Sequence, residues 1–131
     1  MPLTIRATVL IFASLVAGGC SSLVGTDREV TLPTTDLVAP ESVSANVPFM
    51  VSLTVVSGGC LRFDRLIASR VPGVIAIQAR GKDSSGPQTV CTADIRAETK
   101  TYEVAPPFAN PFSVILVQPD GSQTSRTVRI Q

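Results

Sequence analysis

From Phe49 to Val56 the side chains alternate: Phe49, Val51, Leu53 and Val55 are set against Met50, Ser52, Thr54 and Val56. Successive side chains of a strand point to opposite faces, so a period of two predicts a strand with one buried face. Pro48 precedes this run and Ser57-Gly58-Gly59 follows it. Leu61 and Phe63 alternate with Arg62 and Asp64, and Cys91, Ala93 and Ile95 with Thr92, Asp94 and Arg96. Val74 to Ala79 is apolar but for Gln78 and rich in β-branched residues, entered through Pro72-Gly73. Arg28 to Leu32 and Thr101 to Val104 are shorter candidates, and Thr127 to Ile130 closes the chain with Val128 and Ile130 on one side. Phe112 to Val117 is apolar but for Ser113, which predicts a central strand or one covered on both faces. Ile67 to Arg70 reads as a single helical turn.

Turn signals separate these runs: Asn46-Val47-Pro48, Gly58-Gly59, Pro72-Gly73, Asp83 to Pro87, Pro106-Pro107, Asn110-Pro111 and Asp120-Gly121. Pro119-Asp120-Gly121-Ser122 between two apolar runs predicts a hairpin, because Gly tolerates the positive φ such turns need. About seven short strands with frequent turns predict an all-β fold, a single antiparallel β-sandwich following an N-terminal signal helix. A small β-barrel is the competing layout.

The first twenty residues break this pattern. Ala7 to Val16 is apolar except for Thr8 and Ser14, Arg6 is the only charge ahead of it, and Ala17-Gly18-Gly19-Cys20 follows. A charged start, a short apolar middle and a small-residue end make an export signal. The run is shorter than the roughly 20 apolar residues a spanning helix needs. Val16-Ala17-Gly18-Gly19-Cys20 resembles the lipobox of bacterial lipoproteins, with Ala17 where that family prefers Leu. The resemblance implies cleavage before Cys20 and a thioether diacylglycerol plus an N-acyl chain, palmitate among them, on Cys20. One myristoyl chain binds a membrane only marginally, whereas several hold a protein firmly. Ser21 is compatible with outer-membrane sorting in the lineages where Asp there causes inner-membrane retention. The expected organisation is a signal peptide over 1–19, a lipidated Cys and flexible tether over 20–35, and a β-sandwich over 36–131. The expected location is the cell envelope, in the outer membrane or on the outer face of the inner membrane.

The chain has 131 residues, with 11 Lys+Arg, 10 Asp+Glu, no His, no Trp and three Cys. Losing Arg6 with the leader leaves the two signs of charge equal. A neutral domain has no electrostatic footprint for nucleic acid, so none is expected as a partner, and membrane contact is assigned to the lipid on Cys20. With Cys20 set aside, Cys60 and Cys91 permit one disulfide, and an oxidising compartment lets it persist. They are not read as a reactive or metal-binding pair: the chain has no His, no CxxC and no basic cluster beside them.

Pro40 to Phe49 and the long strand after it resemble the first strands of bacterial immunoglobulin-like domains, where a Pro-rich strand leads into the next. Phe112 to Ile130 likewise looks like a terminal hairpin of that class. The position of Cys60 after the first long strand, and the missing Trp, depart from the antibody pattern.

The chemistry the residues allow is narrow. Without His there is no Ser-His-Asp or Cys-His site. A Ser-Lys pair would need Lys82 or Lys100, both in polar surroundings. Asp64, Asp83, Asp94, Glu98, Glu103 and Asp120 are the candidate carboxylates for two-acid hydrolysis. Gly81-Lys82 is not a phosphate loop, since Asp83 follows the Lys. Asp83 to Gly86 lacks the ligand repeat of a calcium loop. Arg62, Asp64 and Arg65 beside Cys60, with Asp94 and Arg96 beside Cys91, form a possible recognition patch that a disulfide would bring onto neighbouring strands. Tyr102, Phe108 and Phe112 are further contact candidates, although most Phe are expected in the core. The expected function is a non-catalytic binding or structural lipoprotein, without cofactor or metal, whose partner is a protein or cell-wall component. A lipoprotein inhibitor of a hydrolase is the alternative, and a small carboxylate hydrolase the remote one.

Overall fold

The structure, a computed structural model, describes residues 27–131. The expected signal peptide and its helix, Cys20 and the expected tether up to residue 26 lie outside the described residues. Nine strands and no helix occur among those described: β1 (Arg28–Thr31), β2 (Thr34–Val38), β3 (Ser42–Val43), β4 (Phe49–Ser57), β5 (Leu61–Val71), β6 (Val74–Asp83), β7 (Arg96–Val104), β8 (Phe112–Val117) and β9 (Gln123–Ile130). They form two sheets, in a layout compatible with a β-sandwich. One sheet holds β2-β4-β7. In the other, β1 and β8 share one edge of β6, at residues 80–83 and 74–77, β5 holds the opposite edge, and β9 and β3 follow β8.

The long alternating strand and the terminal hairpin form as expected. In β4, Phe49, Val51, Leu53 and Val55 are buried. β8 lies between β6 and β9, which accounts for a run that is apolar but for Ser113. Its hairpin to β9 turns at Gly121, φ +83°, where the Asp120 carboxylate accepts the Ser122 N–H at 2.9 Å. Phe112, Val114 and Leu116 meet Leu53, Ile77, Val104 and Val128 in one core.

Four expectations need correction. The sheets are mixed, not wholly antiparallel: β6 pairs parallel with β8, and β3 with β9. Between β6 and β8 the chain crosses to the other sheet as β7, so β8 returns in the direction of β6. Ile67 to Arg70 is strand, not helical turn, because β5 continues through it in register with β6. Cys91 to Ile95 is not strand: Val90 is 94% and Ile95 81% exposed, and an alternation with nothing to bury against gains nothing from pairing. The fold begins at Arg28, ahead of the boundary set at 36. The Leu32 N–H bonds Ala79 in one sheet, and the Pro33 carbonyl accepts the Val56 N–H of the other, so this segment switches sheets. Leu32 is fully buried against Gly81, where a Cβ would collide with its side chain.

Candidate functional site

The Cys60–Cys91 disulfide joins the turn after β4 to the irregular segment before β7, with Cα atoms 5.0 Å apart. Gly58 and Gly59 make this turn at φ +119° and +61°. A Cβ on Gly58 would strike the Asp94 carbonyl, and one on Gly59 would come 3.1 Å from the Thr92 carbonyl. Two glycines are therefore what allow residues 92–94 to lie across the turn.

Asp94 fastens that crossing. Its carboxylate accepts the Gly59 N–H at 3.3 Å, the Thr92 hydroxyl, and Arg96 Nε at 3.1 Å. The Thr92 hydroxyl, foremost among these donors, holds the Asp94 carboxyl below the usual carboxylate range. Asp94 is thus a positioning group for the segment that carries Cys91.

Beside the bridge a cleft of ≈ 370 Å³ opens between β5 and β7, lined by Arg62, Phe63, Asp94, Arg96, Glu98 and Lys100 among others. On β7 the parity that buries Val104 turns Lys100 and Glu98 toward the cleft. Lys100 Nζ lies 2.6 Å from Glu98 Oε2 and 4.7 Å from the centre of the Phe63 ring. That hydrogen bond from Lys100 is the main reason the Glu98 carboxyl is also held low. Each cation of the cleft has its own anion: Lys100 has Glu98, Arg96 has Asp94, and Arg62 has Asp27 at 3.1 Å.

The five patch residues separate. Arg62, Asp94 and Arg96 line the cleft. Asp64 pairs with Arg65, and Arg65 also reaches Glu29 on β1 at 2.8 Å. Glu29 accepts Arg80 Nε at 3.1 Å, and Arg80 is the main cause of its lowered pKa. The two charged sets do not pair across neighbouring strands, because β5 and β7 belong to different sheets. Elsewhere Asp83 is held low chiefly by Ser85, with Arg28 at 2.8 Å adding to it, and Asp120 chiefly by Ser122. Lys82 is exposed on β6, opposite Glu29 and Arg62. Among the described residues no three His, Cys, Asp or Glu gather as metal ligands would.

Phe108 and Phe112 stack with Phe49 at centroid distances of 5.3 and 6.2 Å, and Tyr102 packs half-buried on the core. Arg70 is not among the residues the sequence pattern singles out. It donates to the Ala105 and Pro107 carbonyls and sits 5.5 and 5.1 Å from the Phe108 and Phe112 ring centres. Its signal was present: with Leu66 and Ala68 it shares the inward parity of β5 once 67–70 is read as strand.

Compared with known proteins, the chain matches no family profile, no curated protein and no solved structure.

Proposed function

We propose that the chain is an exported, lipid-anchored, non-catalytic binding module of the bacterial cell envelope. One observation carries the reading: the disulfide takes Cys60 and Cys91, which leaves Cys20, at the end of the apolar leader, as the one remaining cysteine of three. A bridge of this kind suits an oxidising compartment. The lipobox-like Val16 to Cys20 supplies the anchor, and the neutral charge balance supplies no other pull toward a membrane.

A binding role is favoured over hydrolysis by the state of the acids. Hydrolysis with two carboxylates needs one of them protonated, through a raised pKa. The two cleft carboxylates, Asp94 and Glu98, are both held low by donors already bound to them. The cleft and the strand edges beside it are left as contact surface for a protein or cell-wall component. In class we read the fold as immunoglobulin-like. The β8–β9 hairpin and β3 beside the last strand support this, while the parallel β6–β8 pair sets it apart.

Bacteria expressing the full-length chain and fed an alkyne-tagged fatty acid test the anchor. The wild-type chain should take up label and begin at Cys20 by mass, and Cys20→Ala should take up none. An unlabelled wild-type chain, or label persisting in the variant, overturns the reading.

A further inference from the structure

A sheet edge carries unpaired backbone N–H and C=O groups, and folded proteins blunt such edges with short strands, bulges or charged side chains. β1 has four residues and β3 two. β2 breaks register between Thr35 and Val38, with Asp36 at φ +55°. β5 breaks register between Phe63 and Arg65 and carries Arg62, Arg65 and Arg70. β7 is neither short nor bulged, and the charges it carries, Arg96, Glu98, Lys100 and Glu103, are of both signs. Its nine residues pair with β4 without a break and include neither Pro nor Gly. Among the described residues no strand lies on its other side.

The cleft-facing side of β7 reads Arg96, Glu98, Lys100, Tyr102, so charge alternates in sign along it. An alternating row is complementary to itself run backwards. With Thr99 on a twofold axis, Glu98 of each copy stands opposite Lys100 of the other, and Arg96 opposite Tyr102. Opposite charges across strands stabilise, and an Arg over an aromatic face adds cation–π attraction. Residues 96–102 then all lie inside β7. An axis on Glu98 or Lys100 sets like charges against each other, and an axis on Ala97 reaches residues 94–95, which are not strand.

We propose that β7 pairs antiparallel with β7 of a second copy of this chain about Thr99, joining the two three-stranded sheets into one. The pairing does not rest on the lipid anchor.

Crosslinking tests it, on the full-length chain made in an exporting bacterium and run on non-reducing gels beside the wild type. Cβ atoms directly opposite one another are about 4.5–5.5 Å apart. Thr99→Cys should therefore crosslink to a two-chain band. Ala97→Cys and Thr101→Cys should not, since their copies stand roughly 13 Å apart along the strand. Adding Glu98→Lys to Thr99→Cys should lower the crosslinked fraction roughly tenfold by replacing two attractions with repulsions. Adding Glu98→Lys and Lys100→Glu together restores complementarity and should restore the band. The wild-type chain in detergent should scatter light as two copies, a measurement that needs no variant to fold. A one-copy mass, equal crosslinking at 97, 99 and 101, or indifference to the charge reversal overturns the proposal.

Discussion

At Gly58 two constraints meet in one residue. Its φ of +119° lies where side chains are strained, and a Cβ there would strike the Asp94 carbonyl, a backbone atom with no rotamer to escape into. Gly121 also has a positive φ, +83°, but a Cβ on it meets nothing within 4 Å. The two sites therefore separate backbone strain from steric conflict. Gly121→Ala should cost about 1 kcal/mol, the strain alone. Gly58→Ala should cost about 2 kcal/mol or more, since the crossing of 92–94 must also move. Urea midpoints at unchanged slope measure both. Equal losses would mean that residues 92–94 yield freely and that Asp94 does not hold them.

Between elements, one polar contact that joins the two sheets is a side-chain amide. Gln118, just after β8, accepts the Thr34 N–H through Oε1 at 3.1 Å and donates Nε2 to the Thr34 carbonyl at 2.8 Å. Thr34 is 5% exposed, so water cannot replace this partner freely. Gln118→Leu should cost about 1–3 kcal/mol, the penalty for stranding buried backbone groups. Gln123→Leu, exposed on β9, should change stability by no more than about 0.5 kcal/mol. Equal thermal melts for the two variants would remove Gln118 from the account. This contact also marks where reading the sequence stops. Strands β4 and β8 were legible because each has enough apolar positions in period to state its own burial. The hairpin at Gly121 was legible because turn chemistry is local. β2 was not: its bulge and the positive φ of Asp36 blur the period, and its partner amide is 84 residues away. The parallel β6–β8 pairing depends on where β7 goes, which no local pattern states. In the candidate site, the disulfide partners and Arg62, Asp94 and Arg96 were legible as types. The cleft itself was not, since it exists only where an edge of each sheet faces the other.

For the molecule as a whole, the disulfide acts on a segment the core does not reach. Residues 84–95 form no strand. Ser84 is tied by its N–H to the Cys60 carbonyl at 3.1 Å, and Asp94 receives the Gly59 N–H at 3.3 Å. Between those ends the bridge is the one covalent hold. The sequence separation it closes is 31, for which loop-closure entropy gives roughly 3–4 kcal/mol. That stabilisation comes from restricting the unfolded chain, while the folded consequence is local. Reduction should therefore lower the melting temperature while the two sheets, packed through one shared core, keep their β-sheet circular dichroism at room temperature. It should also open residues 86–93 to a protease that cuts beside aliphatic side chains, because Val90 already stands almost fully exposed. Cleavage sites mapped by mass spectrometry, with and without reductant, separate the two effects. A reduced protein that melts lower yet resists cleavage there would show that the segment is held by its own contacts. One that loses sheet signal outright would show that the core cannot stand without the bridge.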